Sequence, residues 1–144
     1  MPIAQKRAWA MMIASTLAYV VYVVLVVTNL HDPVADTPYV APLLWTVGGS
    51  VVATVLAEIG FAVSTRREGK AALRTDERDH EINRFGDHVG QAFVVIGAIA
   101  ALIMTMLQAP YFWIANVIYL AFVLSAVLGS AARLSAYRQN FQPW

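Results

Sequence analysis

The chain has 144 residues, of which 59% are apolar and 13% are charged, and its formal net charge is +1. Soluble domains average about 45–50% apolar and about 25% charged residues, so the composition excludes an ordinary soluble domain. The absence of cysteine excludes disulfides, thiolate metal sites, iron–sulfur clusters and a cysteine nucleophile. The length fits a single domain, residues 1–144.

Four apolar stretches predict four transmembrane helices, over residues 8–29, 39–64, 89–107 and 111–132. Each is long enough to span a membrane, since a helix needs about 20 residues to cross the hydrocarbon core. The first stretch follows Lys6 and Arg7, as in a signal peptide, but it exceeds a typical h-region and no A-x-A-like cleavage site follows it. We therefore predict an all-α, integral membrane four-transmembrane-helix bundle with an uncleaved first span.

The basic residues predict the orientation. All ten Lys and Arg residues lie before the first span, in residues 65–88 or after the fourth span, and the segments 30–38 and 108–110 contain none. The positive-inside rule then places both termini in the cytoplasm. Small four-span multidrug exporters that insert in both orientations lack such a bias. Every copy of this chain should insert the same way, so an oligomer would be parallel.

The connections predict how the spans meet. Residues 108–110 are too few for anything but a tight antiparallel turn between helices three and four. In the charged segment 65–88, Gly69 is a plausible end for helix two, and Thr75 or Asp76 is a plausible N-cap for helix three. Acidic residues would then lie at the positive end of the helix dipole, and the helix would run about 32 residues to Leu107.

Glu58 is the only acidic or basic residue inside a predicted span. Ser50, Thr54, Glu58 and Thr65 fall within about 80° on a helical wheel. An ionisable group within the membrane usually faces a bundle interior or a cavity, which suggests a proton or cation site. The alternative is that Glu58 is neutral, or is hydrogen-bonded to a tyrosine or a neighbouring hydroxyl, and only locks helices together.

The charged segment offers a possible metal site. Histidine with carboxylate suits a divalent metal, and the candidates are His80, Asp87 and His88. No other cofactor is indicated. The spacings are also those of an ordinary solvated helix surface, and the mixed signs suggest fixed ion pairs to another helix or to a second subunit.

Small residues recur at helical spacing in two spans. They are Gly49, Ala53, Ala57 and Gly60 in helix two, and Gly86, Gly90, Gly97 and Ala101 in helix three. Such stripes let helix backbones approach closely in lipid. They could serve packing inside one chain or a parallel homodimer, and the sequence does not separate the two.

The run Asp76, Glu77, Arg78 and Asp79, followed by Ile82 and Gly86 and leading into a span, carries a family resemblance. It resembles small prokaryotic membrane proteins of unknown function that have an Asp-Glu-Arg-Asp signature in the loop before a late helix. The resemblance covers about 30 residues and the four-span layout. It implies a prokaryotic plasma-membrane protein and brings no activity or residue roles.

No phosphate-binding glycine loop, nucleophile elbow or zinc-protease histidine pair occurs, which favours a non-enzymatic protein. Nucleic acid is not expected as a partner, because acidic residues neutralise the basic loop. Our leading hypothesis is a parallel homo-oligomer in the lipid bilayer, whose charged cytoplasmic helix start contacts a cytoplasmic or membrane protein. The alternatives are a proton- or cation-coupled transporter using Glu58 and, less strongly, a metal-sensing membrane protein.

Overall fold

The computed structural model describes residues 3–68 and 77–138, with the backbone alone for Ile3 and residues 65–68. These ranges contain four α-helices, α1 (Ile3–Thr28), α2 (Val40–Glu68), α3 (Glu77–Met106) and α4 (Tyr111–Arg138), and a short 3-10 helix, Val34–Asp36. All four α-helices are long and apolar enough to cross a membrane. The prediction of an all-α fold with four helices able to span a membrane is confirmed.

Three helices extend beyond their predicted spans. Helix α1 begins at Ile3, α2 continues to Glu68 and α4 continues to Arg138. Hydropathy marks only the apolar part of a helix, whereas the backbone hydrogen bonding runs on into the polar flanks. Helix α3 begins at Glu77 with acidic residues in its first turn, as predicted. The proposed caps Gly69, Thr75 and Asp76 lie outside the described residues.

The main contacts between helices follow the order α2–α1–α4–α3. The chain is thus organised as two hairpins, α1–α2 and α3–α4, which meet mainly where α1 packs on α4. We call the end of the bundle at which α1 and α3 begin the basic end, and the opposite end the loop end. The charge bias predicts that the basic end is cytoplasmic.

The turn between α3 and α4 is a Schellman motif. Gln108 has a positive φ of 54°. The Ala109 N–H donates to the Met104 carbonyl at 2.9 Å, and the Gln108 N–H donates to the Thr105 carbonyl at 3.0 Å. These bonds satisfy carbonyls at the end of α3, and Pro110 stops the helix. The tight antiparallel hairpin predicted from residues 108–110 is confirmed.

The bundle core near the loop end is built from aromatic residues of α1 and α4. Tyr22, Val26, Phe112 and Tyr119 are buried together, and the Tyr22 and Tyr119 rings meet edge to face with centroids 4.8 Å apart. The Tyr22 hydroxyl donates to Asn116 Oδ1 at 2.9 Å, which gives both polar groups a partner in an apolar region. This contact connects the two hairpins.

Replacing Tyr22 with phenylalanine should therefore destabilise the bundle, because Asn116 Oδ1 loses its donor. Interhelical hydrogen bonds in membranes contribute about 0.6–2 kcal/mol, and we expect a loss in that range. Unfolding in mixed micelles with increasing dodecyl sulfate measures it. Tyr111→Phe is the matched control, since Tyr111 is 82% exposed. Equal effects from the two substitutions would show that the Tyr22–Asn116 bond contributes nothing.

Candidate functional site at the basic end

Two ion pairs cross between helices near the basic end. Arg7 of α1 pairs with Glu58 of α2, with Nη2 and Oε2 3.2 Å apart. Arg133 of α4 donates from Nη2 to Oδ1 of Asp87 of α3. In the described residues, each hairpin thus has one ion pair between its two helices, near the basic end.

Both ion pairs lie at one level of the bundle. Each of the four residues is about 20 positions from the loop end of its helix, which at 1.5 Å per residue is roughly 30 Å. That distance equals the thickness of the hydrocarbon core, about 30 Å. In a membrane spanned by the four helices, these charges would lie level with the boundary on the basic side.

Glu58 has a basic partner in this arrangement. The side chains of Arg7 and Glu58 are 43% and 52% exposed, and the guanidinium carbon of Arg7 lies 5.9 Å from the centroid of the Phe61 ring. The Ser50 hydroxyl donates to the Val47 carbonyl, and the Thr54 hydroxyl donates to the Ser50 carbonyl, each at 2.8 Å. These two hydroxyls thus bond to their own helix.

The side chain of Thr65, the fourth member of the predicted proton or cation site, lies outside the described residues. The positive charge of Arg7 lies beside Glu58. Transport through Glu58 stays a prediction.

The start of α3 is held against the end of α4. Asp79 accepts a hydrogen bond of 2.8 Å from the Tyr137 hydroxyl, and Ile82 is fully buried. The Arg133–Asp87 pair is an ion pair from this segment to another helix, whereas the Tyr137–Asp79 contact is a hydrogen bond. The exposed residues of this segment are Glu77, Arg78, His80, Arg84, Phe85, Asp87 and His88. The signature residue Asp76 lies outside the described part.

Two of the three predicted metal ligands have other polar partners. Asp87 is engaged by Arg133, and Nδ1 of His88 lies 2.9 Å from the Arg84 carbonyl oxygen. Over the described ranges, 3–68 and 77–138, no group of three His, Asp or Glu side chains could hold a metal ion. Metal binding by His80, Asp87 and His88 stays a prediction.

The small-residue stripe of α3 packs inside the chain. Gly86, Gly90, Gly97 and Ala101 are all buried, and α4 presents small residues opposite them. A Cβ atom added to Gly90 would lie 2.9 Å from Oγ of Ser125, and one added to Gly97 would overlap Cβ of Ala121. Only glycine permits this approach of the two backbones.

The stripe of α2 has a different environment. Gly49, Ala53, Ala57 and Gly60 are all exposed, and each residue from 51 to 60 is exposed, on every side of the helix. A Cβ atom added to Gly49 or Gly60 would have nothing within 4 Å in the described part of the chain. This half of α2 contributes little to the packing of a single chain.

Sequence reasoning missed four residues that matter at the interfaces: Arg7, Asn116, Ser130 and Arg133. Arg7 could have been found, because an antiparallel hairpin places it at the same depth as Glu58. Asn116 lies within a span as an uncharged polar residue, and such residues usually face protein. Ser130 and Arg133 gave no such signal, because their importance depends on how closely α3 approaches α4.

In comparisons with protein-family models, with curated proteins and with solved structures, no match to this chain is found. The resemblance to small prokaryotic membrane proteins with an Asp-Glu-Arg-Asp signature therefore stays a prediction.

Proposed function

We propose that this protein works as a non-enzymatic, parallel homo-oligomer in a prokaryotic plasma membrane, with the charged start of α3 as its cytoplasmic interaction or regulatory surface. The observation that carries the proposal is the exposed small-residue stripe of α2, Gly49, Ala53, Ala57 and Gly60. This stripe is the same kind of surface that α3 uses to pack on α4. In lipid, helix association depends on such close packing, so a second α2 is a suitable partner.

Charge bias supports a parallel arrangement of the copies. All ten basic residues lie on one side of the predicted spans, so copies share one orientation. A two-fold axis along the membrane normal would bring identical stripes of α2 together in an isologous contact. The Arg7–Glu58 ion pair lies on another side of α2, toward α1, and would stay intact.

The start of α3 supports a role in contacting another molecule. Tyr137 and Arg133 bond to Asp79 and Asp87, which fixes this segment on α4. Exposed residues of both signs then present a mixed-charge surface at the membrane boundary and beyond it: Glu77, Arg78, His80, Arg84, Asp87 and His88. Such a surface favours a partner with complementary charges, and it gives specificity and orientation more than affinity.

Cysteine cross-linking in membranes tests the oligomer, since the natural chain contains no cysteine. In the proposed dimer the two copies of residue 53 face each other across the two-fold axis. A disulfide needs Cα atoms within about 7 Å, so we expect Ala53→Cys to form covalent dimers under mild oxidation. Ala62→Cys is the matched control. Ala62 is also exposed on α2 but faces nearly the opposite side of the helix, so it should remain monomeric.

A second pair of variants tests whether the contact depends on shape. Ala53→Ile should reduce the dimer fraction counted by single-molecule photobleaching in lipid, whereas Ala62→Ile should leave it unchanged. A monomer in lipid, or cross-linking that is equal at residues 53 and 62, would contradict the oligomer. Charge reversal at Arg78 and Arg84 that leaves every interaction of the protein in cells unaltered would contradict the role of the α3 surface.

A further inference from the structure

A cavity of about 260 Å³, which we call the α4 groove, is lined by residues of α1, α3 and α4 and lies toward the basic end. Its apolar wall includes Met11 of α1 and Phe122 and Ala126 of α4. Its polar wall includes Asp87 of α3 and Ser130 and Arg133 of α4. The α4 groove thus has an apolar part beside a group of charged and hydroxyl side chains.

The polar wall holds two buried hydrogen-bond donors without a partner in the described part of the chain. They are Oγ of Ser130, a residue that is 1% exposed, and Nε of Arg133. Arginine cannot lose its proton, so Nε is always a donor, and the serine hydroxyl can rotate to donate. Leaving buried donors unsatisfied is unfavourable, so this wall suits a ligand rich in acceptor oxygens.

Asp87, the acidic residue beside these donors, favours a positively charged group. Oδ1 of Asp87 accepts from Arg133, but the Asp87 side chain is 68% exposed and keeps further acceptor capacity. It would repel a plain anion and attract an ammonium group. A ligand that carries both a phosphate and a primary amine complements the donors and the carboxylate together.

The position of the cavity along the bundle indicates that such a ligand is a lipid. Arg133 and Asp87 lie roughly 30 Å from the loop end, level with the membrane boundary. Phe122 lies three turns farther along α4 toward the loop end, about 16 Å, and is 57% exposed. A molecule with its polar head at Arg133 and an apolar chain along Phe122 would match both parts of the groove.

We propose that this cavity binds the headgroup of phosphatidylethanolamine, with the phosphate at Arg133 and Ser130 and the amine at Asp87. One acyl chain follows the groove past Ala126 and Phe122. The proposal is independent of the oligomer, because the groove lies on α4 and the exposed stripe lies on α2.

Native mass spectrometry of the full chain tests the proposal, with phosphatidylethanolamine, phosphatidylcholine and phosphatidylglycerol of identical acyl chains as probes. Phosphatidylethanolamine should bind roughly tenfold more tightly than phosphatidylcholine, whose quaternary ammonium cannot donate a hydrogen bond to Asp87. Asp87→Asn should remove most of this preference. Ser130→Ala, which adds no volume, should weaken phosphatidylethanolamine binding severalfold without loss of folding.

A volume change tests the groove separately. Ala126→Leu fills the groove and should reduce binding of phosphatidylethanolamine, whereas Ala92→Leu, on an exposed face of α3, should not. Equal affinities for the three lipids would overturn the proposal. The proposal would also be overturned if Ala126→Leu and Ser130→Ala both bind phosphatidylethanolamine as tightly as the natural chain does. Displacement of the bound lipid by inorganic phosphate alone would overturn it as well.

Discussion

Replacing Gly97 with alanine is expected to lower the free energy of unfolding by about 1–3 kcal/mol, the usual effect of overpacking a tight interface. A methyl group at Gly97 would overlap the Cβ atom of Ala121 on α4. Neither methyl can rotate away, so the two backbones must separate, and the contacts of the whole α3–α4 interface weaken. Unfolding in mixed micelles measures the change.

Two further variants identify the cause of that loss. Gly48→Ala is the matched control, because a Cβ atom at Gly48 has nothing within 4 Å in the described residues. It should have no cost and could stabilise α2, since alanine is favoured over glycine in helices by about 1 kcal/mol. Adding Ala121→Gly to Gly97→Ala should restore stability. If the double variant is no more stable than Gly97→Ala alone, the overlap is not the cause.

The Arg133–Asp87 ion pair should respond unequally to the loss of either partner. Arg133 is 20% exposed and Asp87 is 68% exposed. Asp87→Ala leaves a mostly buried guanidinium without its acceptor and should cost about 1.5–3 kcal/mol, the range for hydrogen bonds to charged groups. Arg133→Met keeps the apolar stem and leaves a carboxylate that water can reach, so it should cost about 1 kcal/mol or less.

The same unfolding measurement on the two single variants and the double variant gives the coupling energy of the pair. The double variant should be close to Arg133→Met in stability. In Arg133→Met the Asp87 carboxylate has already lost its basic partner, so removing that carboxylate as well should change little. A larger loss for Arg133→Met than for Asp87→Ala would contradict the assignment of Arg133 as the desolvated partner.

The fold was predictable where a local pattern determines it. The number of apolar helices followed from hydropathy. The start of α3 followed from the acidic residues after Asp76, and the tight turn followed from the short connection of three residues before Tyr111. The partners of side chains were not predictable to the same degree. Which helices are neighbours depends on contacts between distant parts of the chain, and no local pattern of residues reveals those contacts.

Glu58 and the two stripes illustrate this limit. The wheel of α2 places Glu58 with Ser50 and Thr54, but the charge that pairs with it comes from α1. The stripes of α2 and α3 are similar in composition, yet one is buried against α4 and the other is exposed. The difference arises because α4 lies between α1 and α3, whereas α2 packs mainly on α1.

The order of the helices also has a consequence for biogenesis. The first hairpin is synthesised before α4 exists, so Tyr22 of α1 enters the membrane without Asn116, its hydrogen-bond partner. During this interval its hydroxyl is left to lipid or to the insertion machinery. The aromatic core between the hairpins can therefore close only after α4 has been synthesised.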